Sequence, residues 1–136
     1  MLKYIYVLCT LILLTGCANI EKKLKVSLGQ EFTLQVGQIA QVDKEGFEIK
    51  FEKVLEDSRC PKGFTCIWAG QVRCELSIKD NESTTRLELT EPGLTDSLSL
   101  TTNNKFKIYY HVQPYPEAGQ EIAPDKYRII LKVEQN

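Results

Sequence analysis

The feature that most constrains this chain is a period of two. From residue 30 onward, apolar residues recur at every second position. The run 31–36 puts Phe32, Leu34 and Val36 on one side and Glu31, Thr33 and Gln35 on the other. The run 46–51 does the same with Phe47, Ile49 and Phe51, and 71–78 with Val72, Cys74, Leu76 and Ile78. Shorter runs occur at 85–89, 97–100, 105–112 and 127–133. Successive side chains of an extended strand point to opposite faces, so each run predicts a strand with one face in a core and one in water. Turn-forming residues separate them at 43–46, 79–82, 91–93 and 102–104. No ten-residue window carries the three-and-four spacing of a helical stripe. The pattern predicts an all-β fold: a single antiparallel, Greek-key-like β-sandwich of about seven or eight strands over residues 30–136, with a small β-barrel as the alternative.

The chain before residue 30 reads differently. A single lysine, Lys3, precedes an apolar run of about ten residues, the length of a signal-peptide core and short for a bilayer span. The run ends in Leu14-Thr15-Gly16-Cys17. This tetrad resembles the lipobox of bacterial lipoproteins. The resemblance implies a signal peptide over 1–16, cleavage before Cys17, and acyl chains on Cys17 that anchor the protein in a membrane. An uncleaved membrane helix is the alternative. Cys9 lies inside the apolar core and leaves with it. Residues 17–29 are polar and poorly patterned, and read as a lipidated tether, with its end joining the first strand as an open alternative. The expected location is the bacterial cell envelope, lipid-anchored and facing away from the cytoplasm. Ala18 leaves the choice of membrane open.

Cleavage leaves about 120 residues, enough for one domain with a real core. The whole chain carries 17 basic and 18 acidic residues. With no basic patch, nucleic acid is excluded as an expected partner. The pair Lys22-Lys23 beside the anchor is a weak attraction for anionic lipid.

The densest stretch is DSRCPKGFTCIWAG, residues 57–70. Cysteines in an exported protein are disulfide candidates. Pro61 and Gly63 turn the chain between Cys60 and Cys66, so a Cys60–Cys66 bridge is expected. Structural zinc is the rival, but it needs four close ligands, and the mature chain offers only Cys60, Cys66, Cys74 and His111. No metal and no cofactor is expected. Cys74 alternates with Val72 and Leu76 and is expected in the core as a free thiol; pairing with Cys60 or Cys66 stays open. Trp68 is expected to pack on the disulfide or the sheet, with an exposed recognition residue as the alternative. Gly70 marks a tight approach or bulge. Asp57 and Ser58 are placed to bond the turning backbone. Arg59 either pairs with Asp57 or lies in solvent. Lys62 and Phe64, at the loop tip, are candidates for partner contact.

The stretch Asp-Ser-Arg-Cys-Pro, four residues, then Cys-Ile-Trp-Ala-Gly resembles a motif of small uncharacterised bacterial secreted proteins and lipoproteins. Pro114-Tyr115-Pro116 and Asp125-Lys126-Tyr127 are similar in style, and the resemblance spans roughly residues 45 to 134. It implies an all-β envelope protein and carries no mechanism. Cys74 departs from it, since an ordinary apolar residue is expected there.

Catalytic signatures are missing. The one histidine, His111, sits beside Lys107 and Tyr109 on the polar face of its run. Nucleophile elbows, zinc-protease helices and phosphate-binding glycine loops do not occur. Glu48, Glu75 and Glu88 alternate with apolar residues as a solvated sheet face does. The long segment 114–124 holds three of the five prolines and includes Tyr115. It reads as a stiff crossover or a recognition loop. The expectation is a non-enzymatic, lipid-anchored binding module whose partner is an envelope protein or a wall polymer. The alternatives are a structural accessory lipoprotein and a carboxylate-based hydrolase.

Overall fold

The computed structural model describes residues 23–42, 46–81, 83–95, 98–102 and 105–136. The expected signal peptide, Cys17, and the tether as far as residue 22 lie outside the described residues. So do 43–45, Glu82, Ser97 and 103–104 of the expected turns and strands.

Nine strands are described: β1 Leu24–Val26, β2 Glu31–Gln35, β3 Ile39–Val42, β4 Phe47–Asp57, β5 Gln71–Lys79, β6 Thr84–Pro92, β7 Ser99–Thr102, β8 Phe106–Gln113 and β9 Arg128–Gln135. They form two sheets, in the orders β1-β3-β4-β5-β6 and β2-β9-β8-β7. This is the expected all-β sandwich, without barrel closure. The first sheet is a meander from β3 to β6. The second is a meander from β7 to β9, with β2 crossing over to pair with β9.

The sandwich forms because the alternation puts a continuous apolar face on each sheet. Phe47, Ile49 and Phe51 of β4 and Val72, Cys74 and Leu76 of β5 are buried in one. Phe106, Ile108, Tyr110 and Val112 of β8 and Ile129, Leu131 and Val133 of β9 are buried in the other. The faces interlock, with the rings of Phe47 and Phe106 only 4.5 Å apart. Each fully buried side chain of this size contributes about 1.5–3 kcal/mol.

Three expectations are corrected. The sandwich begins inside the expected tether: Leu24–Val26 forms β1, and Val26 is buried. β1 pairs with β3 in parallel, so the pairing is not antiparallel throughout. Such short strands carry too few residues for a visible alternation. β6 also runs through Glu91 and Pro92, where a turn was expected. Pro92 is tolerated because it sits on an edge strand at its last residue.

Two register shifts in β4, at Phe51/Lys53 and Val54/Glu56, break its alternation. Such bulges bend a strand and re-aim the side chains beyond the bend. Here they leave Leu55 exposed and deliver Asp57 to one end of the sandwich. That end gathers the segments 58–70, 93–95 and 114–127. Between 114 and 127 the only regular piece is a 3-10 turn at Pro124–Lys126.

Candidate functional site: two braced loops

The loop end is built on a side chain that has no contact with water. Arg59 is buried, with its guanidinium fork laid against Asp57: Nε donates to Oδ1 at 2.8 Å and Nη2 to Oδ2 at 2.6 Å. Nη1 donates to the carbonyl of Val112 at 2.8 Å, and Nη2 to that of Pro114 at 3.0 Å. Tyr127 donates its hydroxyl to Asp57 Oδ2 at 3.0 Å. Burial and the neighbouring Asp57 carboxylate push the Tyr127 phenol up to about 12, so it remains a donor. A buried charge is tolerated when it is paired and its hydrogen-bonding positions are filled, as here.

The edge of β8 explains why Arg59 and a second acid, Glu91, meet there. β7 pairs with β8 only as far as Tyr110, opposite Ser99. Beyond that point Val112 has no strand partner on that side among the described residues. Glu91 Oε2 accepts from Val112 N at 2.9 Å, and Arg59 donates to Val112 O. Two side chains thus replace the missing ladder. The other Glu91 oxygen, Oε1, lies 3.0 Å from His111 Nδ1 and 4.0 Å from Arg59 Nη1. Both Oε1 and Nδ1 are buried without another partner, so a proton held between them satisfies both. Burial raises the Glu91 pKa, and the Val112 N–H, His111 and Arg59 partly offset that rise.

Cys60 and Cys66 form the expected disulfide, with an S–S distance of 2.07 Å. The cysteine loop is stitched down at its base. Ser58 N donates to Gln71 O at 2.8 Å and Cys60 N to Ala69 O at 2.8 Å. Backbone there packs directly on backbone. A Cβ on Gly70 would lie 1.8 Å from the Ser58 carbonyl oxygen, and Gly70 has φ +69. A Cβ on Gly93 would lie 2.1 Å from Ala69 O. Only glycine fits either position.

The proline loop is clamped to the cysteine loop. Lys62 N donates to Pro116 O, and Ala118 N to Lys62 O, each at 3.0 Å. The Tyr115 hydroxyl donates to Cys60 O at 2.9 Å and accepts from Leu94 N at 3.1 Å. Its ring lies 4.9 Å from the Arg59 guanidinium carbon and 5.7 Å from Lys62 Nζ. Tyr115 and Lys62, singled out in the sequence as contact candidates, therefore brace the two loops. Phe64 is free at the tip.

Trp68 follows the alternative of its two expectations, exposed rather than packed on the disulfide or the sheet. It is 80% exposed, Leu94 71%, Phe64 63% and Ile67 entirely. Ordinary burial would place such residues inside, so four together at one end are a functional signal.

Glu91, Tyr127, Ile67 and Leu94 went unrecognised in the sequence. For Glu91 a signal existed: Leu87, Leu89 and Glu91 share one phase of the alternation, so the acid falls on the inward face. Tyr127 likewise shares phase with Ile129 and Leu131. Nothing in the sequence marks Leu94. Cys74 is a free, buried thiol, its pKa pushed up to about 12 chiefly by burial. Among the described residues no group of His, Cys, Asp or Glu side chains is placed to hold a metal ion. Nor is any helix long and apolar enough to cross a membrane.

No family model, no curated protein and no solved structure matches this chain. Fold and site define a two-sheet all-β sandwich with one end rebuilt as two braced loops, and that end is the candidate site.

Proposed function

We propose that the protein is a lipid-anchored envelope lipoprotein acting as a non-enzymatic binding module, with the braced loops as its contact surface. One observation carries this: Phe64, Ile67, Trp68 and Leu94 stand exposed on loops fixed by a disulfide, a buried ion pair and backbone-to-backbone contact. Rigid apolar anchors bind well because little conformational entropy is lost when they are covered. The lipobox-like Leu14-Thr15-Gly16-Cys17 supplies the location, and the partner is a component of the envelope.

A hydrolytic role is less well supported. The buried acids at this end are committed, Asp57 to Arg59 and Tyr127, Glu91 to Val112 and His111. Neither leaves an oxygen turned to a substrate, as paired-carboxylate chemistry requires.

The test is cross-linking in the native envelope of wild type against Phe64→Ala/Trp68→Ala. Both side chains are exposed, so the fold survives their removal. Adducts to lipid, protein or polymer that vanish in the double variant are the expected result. An identical adduct pattern in both proteins would refute the reading.

A further inference from the structure

The sandwich has a direction relative to its anchor. β1 is parallel to β3, and β3 is antiparallel to β4. The cysteine loop comes after the C-terminal end of β4, so the N-terminal end of β1 points toward the loop end. Leu24 lies level with Ala40, and Ala40 with Ile49. From Ile49 to Asp57 along β4 is about 25 Å. The seven residue steps from Cys17 to Leu24 span at most about 25 Å. A fully extended tether therefore brings Cys17 about level with the end of β4 that carries the loops, and so short a tether keeps the whole domain close to whatever holds the lipid.

The side chains at this end suit a bilayer interface. Trp is favoured where an apolar body meets headgroups through a polar tip, and Ile and Phe gain by entering the acyl boundary. Exposed charges on the described loop residues are mixed in sign, with Lys62 and Lys126 against Glu117, Glu121 and Asp125. The surface offers apolar contact with only a weak net charge. The loop is already rigid, so seating it orders little else.

We propose that the partner of this surface is the bilayer itself, with Phe64, Ile67 and Trp68 seated in the headgroup region of the membrane that holds Cys17. The proposal rests on the reading of Cys17 as a lipid anchor. It gives the module a fixed orientation, with the loop end toward the bilayer and the 27–30 turn away from it.

Trp68 is the chain's only tryptophan and reports directly on this. The full chain is expressed with its signal sequence, purified from membranes and reconstituted in phosphatidylcholine vesicles, with and without brominated acyl chains. Intact mass establishes whether Cys17 carries lipid. The expected result is at least twofold quenching of Trp68 by the brominated lipid, with at least twofold protection from aqueous iodide. Quenching by the lipid should fall toward the unbrominated baseline in Phe64→Ser/Ile67→Ser and change little between low and high salt. Lipid on Cys17 with Trp68 open to iodide and untouched by bromine would refute the seating alone, and leave the loops for a protein or polymer. An unmodified Cys17 would remove the anchor and the proposal with it.

Discussion

Arg59 holds its charge with the side chain wholly out of water, and that makes it the least replaceable residue of the loop end. Removing the guanidinium leaves Asp57 buried without its partner and strips two backbone carbonyls of a donor. Breaking a buried pair in this way costs about 3–5 kcal/mol. Arg59→Ala should lower the urea midpoint accordingly. Arg59→Lys should recover only part of the loss, because an ammonium cannot present a planar fork to Asp57 and reach Val112 and Pro114 as well. Glu91 makes a different prediction. Its pKa is raised in the folded protein, so between the ordinary carboxylate range and that raised value the folded state holds a proton the unfolded chain has released. Its contribution to stability is therefore greatest at low pH and falls as pH rises through this interval. Glu91→Gln keeps an acceptor for Val112 N but has no proton to lose. Urea midpoints measured against pH should show that decline in wild type minus Glu91→Gln; a flat difference would contradict it.

At the scale of elements, the loops depend on the strands that carry them and on the staple between them. The disulfide closes a short ring, with a sequence separation of 6. The chain-entropy estimate for so small a ring is about 2 kcal/mol. Cys60→Ser/Cys66→Ser should lose roughly that in urea unfolding, and exchange of the Lys62 and Ala118 amides should quicken as the clamp to the proline loop slackens. If those amides exchange at the wild-type rate, the clamp stands without the staple. The disulfide was legible because the two cysteines stand close in the chain, with Pro61 and Gly63 between them to turn it. Strand β6 was legible only as far as Leu89. Glu91 and Pro92 carry turn chemistry, which hides that Glu91 shares the inward phase of Leu87 and Leu89, where Val112 N and His111 give it partners.

At the scale of the whole molecule, the domain is larger at its start than the alternation indicates. β1 adds an edge strand and buries Val26. A chain beginning at residue 30 should be less stable than one beginning at 23 by about 2 kcal/mol, the burial of one such side chain. It should also show β3 as a newly exposed edge, read by faster amide exchange at Ile39–Val42. Equal stability of the two chains would show that β1 contributes nothing. The sequence alone determined the all-β class, the inward residues of the long strands and the disulfide, because a period of two and a close cysteine pair are local properties. The tertiary structure alone decided what the loop end is. Arg59 is buried because β4, β6 and β8 end together around it. Trp68 is exposed in the stretch between the disulfide and β5, where no described segment covers it. Both depend on segments distant in the chain, and no local pattern records where such segments meet.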